Sequence, residues 1–220
     1  MADVRDMYMA HAMFRREFSL LPELILDVPE GDGARAEVVG AHAELLCSIL
    51  HLHHEGEDVY AWPKLLERGG AAAEAIVPTM EAQHHAIDEC VTMIRKILPA
   101  WRSTGRRGAE LAEVCDRLRV VLIEHMALEE REILPLAEKL MTAAEWSQLG
   151  EHGMKDMPKS KLPLGFGMVM YEGDPEVLKA VLADAPLVAR LTMPIVAPRL
   201  YAKHAKRVYG TPTPPRIGRG

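Results

Sequence analysis

Four long segments of the chain repeat apolar side chains every three or four residues, the period of an amphipathic α-helix. Short breakers rich in Gly, Pro, Ser and Asp separate them, and no window alternates apolar and polar residues as a β-strand does. Helices with such short connections pack most simply as an up-down-up-down bundle, so we expect an all-α four-helix bundle over residues 1–140. The predicted helices run from about Asp3 to Asp27, Ala34 to Arg68, Ala71 to Trp101 and Ala109 to Leu140.

Residues 141–220 are expected to form a mostly helical extension that packs on the bundle. Thr142 and Glu145 have the spacing of a capping box, which predicts a short helix ending near Leu149. Residues 153–173 are rich in Gly, Pro, Lys and Met, a composition that predicts a connector.

Two further helical segments are expected before the C-terminus. Asp174-Pro175-Glu176 is a typical helix start, and the helix it opens should reach about Ala185. The segment from Pro186 to Tyr209 is apolar and basic but contains Pro194 and Pro198. We therefore expect any helix there to be kinked or split.

Composition excludes several classes of protein. Hydrophobic residues make up 49% of the chain and charged residues 26%, which excludes wholesale disorder. No apolar run is long enough for a membrane-spanning helix, and His11 and Arg15 interrupt the N-terminal apolar stretch as no signal peptide would allow. The cysteines, Cys47, Cys90 and Cys115, stand far apart in sequence, which favours a reducing cytoplasm over a disulfide framework or zinc ribbon.

Charge is divided unevenly along the chain. Residues 1–150 carry 15 Lys and Arg against 26 Asp and Glu, whereas residues 151–220 carry 11 against 6. The first part therefore has a net charge of −11 and the second of +5. A basic tail of this kind can contact nucleic acid or anionic lipid, but packing on its own acidic domain is the favoured interpretation. No nucleic-acid partner is expected, because the tail lacks an aromatic-basic pattern.

The histidines stand in positions that apolar residues would normally fill. Each predicted bundle helix contributes one of them to the apolar face: His11, His54, His84 and His125. Counted from the connecting loops at about 1.5 Å of rise per residue, these four lie within about 2–5 Å of one height. Acidic residues stand close by at helical spacing, with Glu55 and Asp58 near the second histidine and Glu129 four residues after the fourth.

Such a cluster needs a partner that neutralises it. Burying one polar group without a partner costs roughly 1–3 kcal/mol, and a buried charge costs more. A single core histidine usually has an ordinary hydrogen bond, and pairs such as His54 with Asp58 also occur on plain helix faces. Several imidazoles and carboxylates at one height instead favour a pair of divalent metals, with iron, manganese and zinc all suited to these donors.

The order of the histidine motifs resembles the hemerythrin-like, or HHE cation-binding, family over about residues 3–140. The motifs are His11 before Phe14-Arg15-Arg16; His53-His54-Glu55-Gly56-Glu57-Asp58 before Trp62-Pro63; Gln83-His84 before Ile87-Asp88; and His125-Met126-Ala127-Leu128-Glu129-Glu130 before Leu134-Pro135.

The resemblance implies two iron ions, Fe2+ or Fe3+, with an oxo or hydroxo bridge; manganese and zinc are less favoured. It implies six ligands: His11, His54, Asp58, His84, His125 and Glu129, with the two acids as bridging carboxylates. Oxygen-carrying members have a second histidine on the third helix, where this chain has Asp88, so simple oxygen carriage is doubtful. The candidates for a seventh ligand are, in order, Glu55, His51 and Asp88.

By resemblance, the expected function is a non-haem di-iron protein that binds or reacts with dioxygen, peroxide or nitric oxide as a carrier, sensor or scavenger. One alternative is a di-iron enzyme that decomposes peroxide or oxidises a small substrate. The ferritin-like form of that alternative needs Glu-x-x-His on two helices, and only Glu81 with His84 provides it. A second alternative is a metal-responsive regulatory module.

Overall fold

A computed structural model gives the structure of the chain and describes residues 1–183 and 185–218. All of the regular secondary structure in these ranges is helical, which confirms the all-α prediction. The α-helices are α1 Arg5–Leu26, α2 Gly33–Gly56, α3 Trp62–Arg68, α4 Gly70–Thr104, α5 Gly108–Leu128, α6 Leu134–Leu140, α7 Ala143–Asp156, α8 Leu162–Met170, α9 Pro175–Ala183 and α10 Leu187–Tyr209.

Two short π-helical segments interrupt what the sequence predicts as single long helices. The first π-helical segment, Glu57–Ala61, joins α2 to α3, and the second, Glu129–Ile133, joins α5 to α6. A π-helix holds one more residue per turn than an α-helix, so each segment changes which side chains face inward. Both stretches are helical as predicted, and the π-helical segments within them were not predicted.

The chain divides into two compact units. The first unit comprises Met1–Val4 and Phe18–Asp156, and the second comprises Arg5–Glu17 and Met157–Gly220. In the first unit, α4 packs on α2 and on α5, α3 packs on α4 and α6, and α7 packs on α2. These contacts form a helical bundle with one apolar core.

The core face of α4 shows how the sequence pattern produces the bundle. Its buried residues recur every three or four positions: Ala73, Val77, Met80, His84, Ile87, Val91, Ile94, Leu98 and Trp101. His84 is therefore buried in the apolar stripe, as the spacing predicts. The helix ends at Gly105, whose φ of 62° lies in the left-handed region that glycine adopts without strain.

The capping box that opens α7 is confirmed. Thr142 N–H donates to Glu145 Oε2 at 3.0 Å, and Glu145 N–H donates back to Thr142 Oγ1 at 3.2 Å. The helix continues to Asp156, beyond the predicted end near Leu149. None of the helices in the described ranges has the length and apolar character needed to cross a membrane.

Two predictions for the second unit are corrected. The predicted connector at 153–173 contains α8. Its Gly167 serves close helix packing and not a loop, since a Cβ there would lie 2.3 Å from the carbonyl oxygen of Ala197 on α10. In addition, α10 runs as one element through Pro194 and Pro198, so of the two alternatives, a kinked or a split helix, the split helix is wrong and the kink stays a prediction.

A network of charged and phenolic groups is buried inside the second unit. Arg16 Nε donates to Glu17 Oε1 at 2.9 Å, and its Nη1 donates to Glu172 Oε2. The hydroxyl of Tyr201 donates to Glu17 Oε1 at 2.9 Å, and that of Tyr209 donates to Glu17 Oε2. Burial of these charges is tolerable because each has an opposite charge or a hydrogen bond.

Candidate metal centre

Four buried side chains of the first unit offer ligand atoms to one point. They are His54 from α2, Glu57 from the first π-helical segment, His84 from α4 and His125 from α5. One ligand atom from each lies within 4.8 Å of the others. Three imidazoles and a carboxylate at this spacing can bind one divalent metal ion.

The three imidazole rings are in direct contact. The His54 and His84 rings stack with centroids 4.1 Å apart, and the His84 and His125 centroids are 4.7 Å apart. His84 Nε2 lies 3.3 Å from His125 Nε2 and 3.3 Å from Glu57 Oε2. Two imidazole nitrogens and a carboxylate oxygen therefore converge.

The outer nitrogens of two of these rings are held by side chains beside the cluster. His84 Nδ1 lies 2.7 Å from Asp58 Oδ1, which also accepts a 2.8 Å hydrogen bond from Trp62 Nε1. His125 Nδ1 lies 3.2 Å from Gln83 Oε1. Because an acceptor at Nδ1 places the proton there, the Nε2 lone pair is available to a metal.

The carboxylates around His84 favour a cation. Burial alone would lower the pKa of His84, but hydrogen bonds to Asp58 and Glu57 raise it to about 10. Burial would raise the pKa of Asp58, yet the hydrogen bond to His84 lowers it. These opposing effects show that the site stabilises positive charge, which is what a metal site requires.

Each π-helical segment begins at a glutamate and is followed closely by a proline. Trp62 N–H donates to the Glu57 carbonyl, five residues earlier, and Leu134 N–H donates to the Glu129 carbonyl in the same way. The next residue in each case is a proline, which has no N–H to donate and whose ring clashes with the carbonyl four residues earlier. A π-helical turn accommodates that proline, and such turns occur often at functional sites.

The structure brings three of the predicted ligands together, His54, His84 and His125. Glu129 is also buried, with its Oε2 at 3.7 Å from His125 Nε2. Asp58 instead contacts the outer nitrogen of His84, and about half of its side chain is exposed (47%). His11 is fully buried on α1 and belongs to the second unit, and its role as a ligand stays a prediction.

None of the three candidates for a seventh ligand belongs to this buried group. Glu55 Oε2 lies 3.0 Å from His152 Nε2 on α7. The side chains of His51 and Asp88 are 49% and 54% exposed and face each other across 4.0 Å.

Glu57 is the carboxylate of this segment that lies in the buried cluster, and it was not among the predicted ligands. A signal was present: the pattern His-x3-Glu-x5-Pro occurs twice, as His53–Glu57–Pro63 and His125–Glu129–Pro135. Both copies span a π-helical segment. Aligning them selects Glu57 and Glu129 as equivalent residues, and it also selects His53, whose Nε2 lies 3.0 Å from Glu57 Oε1.

Comparison with known proteins agrees with this geometry. The family model of the hemerythrin HHE cation-binding domain matches residues 2–137, which is more than half of the chain. No curated protein and no solved structure gives a significant match. The matched residues include every member of the buried His and Glu cluster. The chain belongs to the hemerythrin HHE cation-binding family.

Proposed function

We propose that this chain is a non-haem di-iron protein that binds or reacts with dioxygen, peroxide or nitric oxide. The observation that carries the proposal is the buried group of His54, Glu57, His84 and His125, with ligand atoms within 4.8 Å of one another. Imidazole and carboxylate donors suit iron, and also manganese and zinc, which are the less favoured ions.

A second metal ion is supported by the two oxygens of Glu57. Its Oε2 lies 3.3 Å from His84 Nε2, and its Oε1 lies 3.0 Å from His53 Nε2. One carboxylate thus faces two different imidazoles, which is the arrangement of a bridging ligand. Glu129 Oε2, at 3.7 Å from His125 Nε2, offers a second carboxylate. In this proposal Glu57 and Glu129 would hold the two ions together with the imidazoles of the cluster, and His11 stays a predicted ligand.

The chain's own residues would orient the ligands and restrict what reaches them. Asp58 and Gln83 fix the rings of His84 and His125, so that little reorganisation accompanies binding. Trp62 is buried with its ring 5.7 Å from that of His84, which limits the space beside the cluster. When bound, the iron pair would supply an open coordination position and reversible electron transfer. A small diatomic molecule or peroxide fits such a confined site.

Iron content tests the proposal, with adjacent histidines as a matched pair. We expect the wild-type protein and His85→Ala to bind two iron ions per chain, since His85 is exposed. His84→Ala should bind one or none. Elemental analysis of folded protein grown in iron-rich medium gives the measurement. A wild-type chain with fewer than two metal ions, or His84→Ala with the full complement, would overturn the di-iron proposal.

A second pair of variants tests Glu57 against the acid two residues before it. Glu57→Gln should lose iron, whereas Glu55→Gln should keep it, because Glu55 contacts His152 and not the cluster. If only Glu55→Gln lost iron, the ligand assignment would have to return to Glu55.

Spectroscopy and peroxide turnover distinguish a carrier, sensor or scavenger from an enzyme. Optical spectra of the iron-loaded protein should change when air is admitted to the reduced form and return on reduction. Steady release of oxygen from added peroxide would instead favour an enzyme. A spectrum that responds to neither dioxygen, peroxide nor nitric oxide would leave metal storage or a structural role as the explanation.

A further inference from the structure

The outward face of α10 carries several exposed apolar side chains. Six of them are between 39% and 73% exposed: Leu187, Val188, Leu191, Ile195, Val196 and Leu200. The opposite side of the helix is buried through Ala197, Tyr201 and Ala205, and α10 packs on α8. Isolated exposed apolar residues need no explanation, but six on one helix do.

These side chains are arranged in rows along the helix surface. One row with four-residue spacing begins with Leu187, Leu191 and Ile195 and continues with Arg199 and Lys203. The neighbouring row contains Val188, Val196 and Leu200. The face is therefore apolar in its first half and basic in its second half, and we call it the α10 face.

Charge within residues 185–218, which carry the α10 face, has one sign. Residues 185–218 contain six Lys and Arg and no Asp or Glu. Arg190, Arg199, Lys203 and Lys206 are exposed, and none of these four pairs with a carboxylate among the described residues. An apolar strip bordered by unpaired cations complements a surface that is negative outside and apolar beneath.

We propose that the α10 face binds the surface of an anionic phospholipid bilayer. The apolar half would enter the boundary between headgroups and acyl chains, while Arg199, Lys203 and Lys206 would contact the lipid phosphates. The helix lies in the interface and does not span the bilayer, which agrees with the absence of a spanning helix from the described ranges.

A second copy of the chain is a poorer occupant. A stable protein–protein interface usually involves about 20–30 residues on each side, far more than these six apolar residues and their flanking cations. Two α10 faces packed in parallel would place cations against cations, and packed antiparallel they would place cations against the apolar half. A lipid bilayer offers acyl chains to the apolar half of the face and phosphates to the basic half.

Vesicle binding by the full-length protein tests the proposal. The probes are vesicles of equal parts phosphatidylglycerol and phosphatidylcholine, and vesicles of phosphatidylcholine alone, separated by sedimentation. We expect binding to the anionic vesicles only, weakening as salt is raised, since salt screens the cations. Leu191→Glu should weaken binding about tenfold or more through loss of apolar burial. Lys203→Ala with Lys206→Ala should also weaken it about tenfold or more.

Matched controls come from exposed residues elsewhere on the surface. Val120→Glu changes a valine that is 50% exposed on α5, and Lys96→Ala removes an exposed cation on α4; both should bind vesicles like the wild type. Circular dichroism verifies that each variant is folded.

Three results would overturn the proposal. They are no binding to anionic vesicles at low salt, equal binding by wild type and Leu191→Glu, or a lipid-free dimer that Leu191→Glu dissociates. The last result would assign the α10 face to a second copy of the chain.

Discussion

At the scale of single residues, the side chains beside the cluster decide how its imidazoles point. Asp58 accepts at His84 Nδ1 and Gln83 at His125 Nδ1, which leaves both Nε2 atoms 3.3 Å apart and facing inward. A carboxylate behind a metal-bound histidine raises the basicity of the ring and holds its orientation. Asp58 was predicted to bridge two metals, but its position is better suited to orienting His84.

Replacing Asp58 separates these two roles. If Asp58 orients His84, Asp58→Ala should lower iron affinity by about 10–100-fold while the number of ions bound at saturation stays the same. Competition with a chelator measures the affinity, and elemental analysis measures the number. Gln83→Ala should have a smaller effect, because its hydrogen bond is neutral and longer (3.2 Å). If Asp58→Ala bound one ion fewer at saturation, the carboxylate would be a ligand after all.

At the scale of helices, the π-helical segments position their glutamates at the expense of helix stability. Without the extra residue, the part of the helix after the segment would be rotated by about 100° about the helix axis relative to the part before it. Glu57 would then no longer face His84. Pro63 has no N–H to bond the carbonyl four residues earlier, and the turn before it is closed by the π-helical bond from Trp62 N–H to the Glu57 carbonyl.

Replacing that proline should therefore have opposite effects on stability and on metal binding. Pro63→Ala restores an N–H and a good helix former, so the metal-free protein should gain about 1 kcal/mol or more in free energy of unfolding. Its iron affinity should fall. Pro78→Ala, at an exposed proline inside α4, is the control and should leave iron affinity unchanged. Unaltered iron affinity in Pro63→Ala would show that the proline does not maintain the site.

Two helical glycines make a second prediction at this scale. A Cβ on Gly167 would meet the Ala197 carbonyl at 2.3 Å, so Gly167→Ala should destabilise the second unit by about 1–3 kcal/mol. A Cβ on Gly150, in α7, would have no atom within 4 Å, so Gly150→Ala should stabilise α7 by about 0.5–1 kcal/mol. Urea unfolding followed by circular dichroism gives both values. Equal effects of the two variants would contradict the close contact between α8 and α10.

The same elements show what the sequence could and could not predict. Apolar periodicity predicted the positions of the bundle helices and the burial of His84, because the α-helical period is a local property. The same period did not single out Glu57, because extrapolating it from His54 passes over the π-helical segment, which only the paired Glu57 and Pro63 would have signalled. The prediction of a connector in place of α8 failed because Gly167 has the same sequence signature in a loop and in a tight helix contact.

At the scale of the whole molecule, the two units are stabilised by different chemistry. The first unit buries a cluster that favours a cation, so metal binding should stabilise it by mass action. The second unit buries Glu17 among Arg16, Tyr201 and Tyr209, and no metal is needed to satisfy that carboxylate. Adding iron should therefore stabilise the first unit and leave the stability of the second unit unchanged.

The tyrosines around Glu17 set the response of the second unit to alkaline pH. Burial, followed by the nearby Glu17 carboxylate, raises the pKa of both Tyr201 and Tyr209 well above the ordinary value of 10. Below about pH 10 both hydroxyls are protonated whether the chain is folded or unfolded, so their contribution is fully present. Above it only the unfolded chain loses these protons, and stability falls with rising pH, by about 1.4 kcal/mol per pH unit for each tyrosine.

Removing one phenol should reduce that slope. In Tyr201→Phe, Glu17 keeps its bonds from Arg16 and Tyr209, so at pH 8 the variant should lose about 1.5–3 kcal/mol, the usual effect of losing one hydrogen bond to a charged group. Between pH 10 and 11 the free energy of unfolding of the variant should decline by about 1 kcal/mol less than that of the wild type. Urea titrations at a series of pH values, followed by circular dichroism, give both slopes. Parallel curves for the two proteins would mean that Tyr201 loses its proton as readily in the folded unit as in the unfolded chain, contrary to its burial beside Glu17.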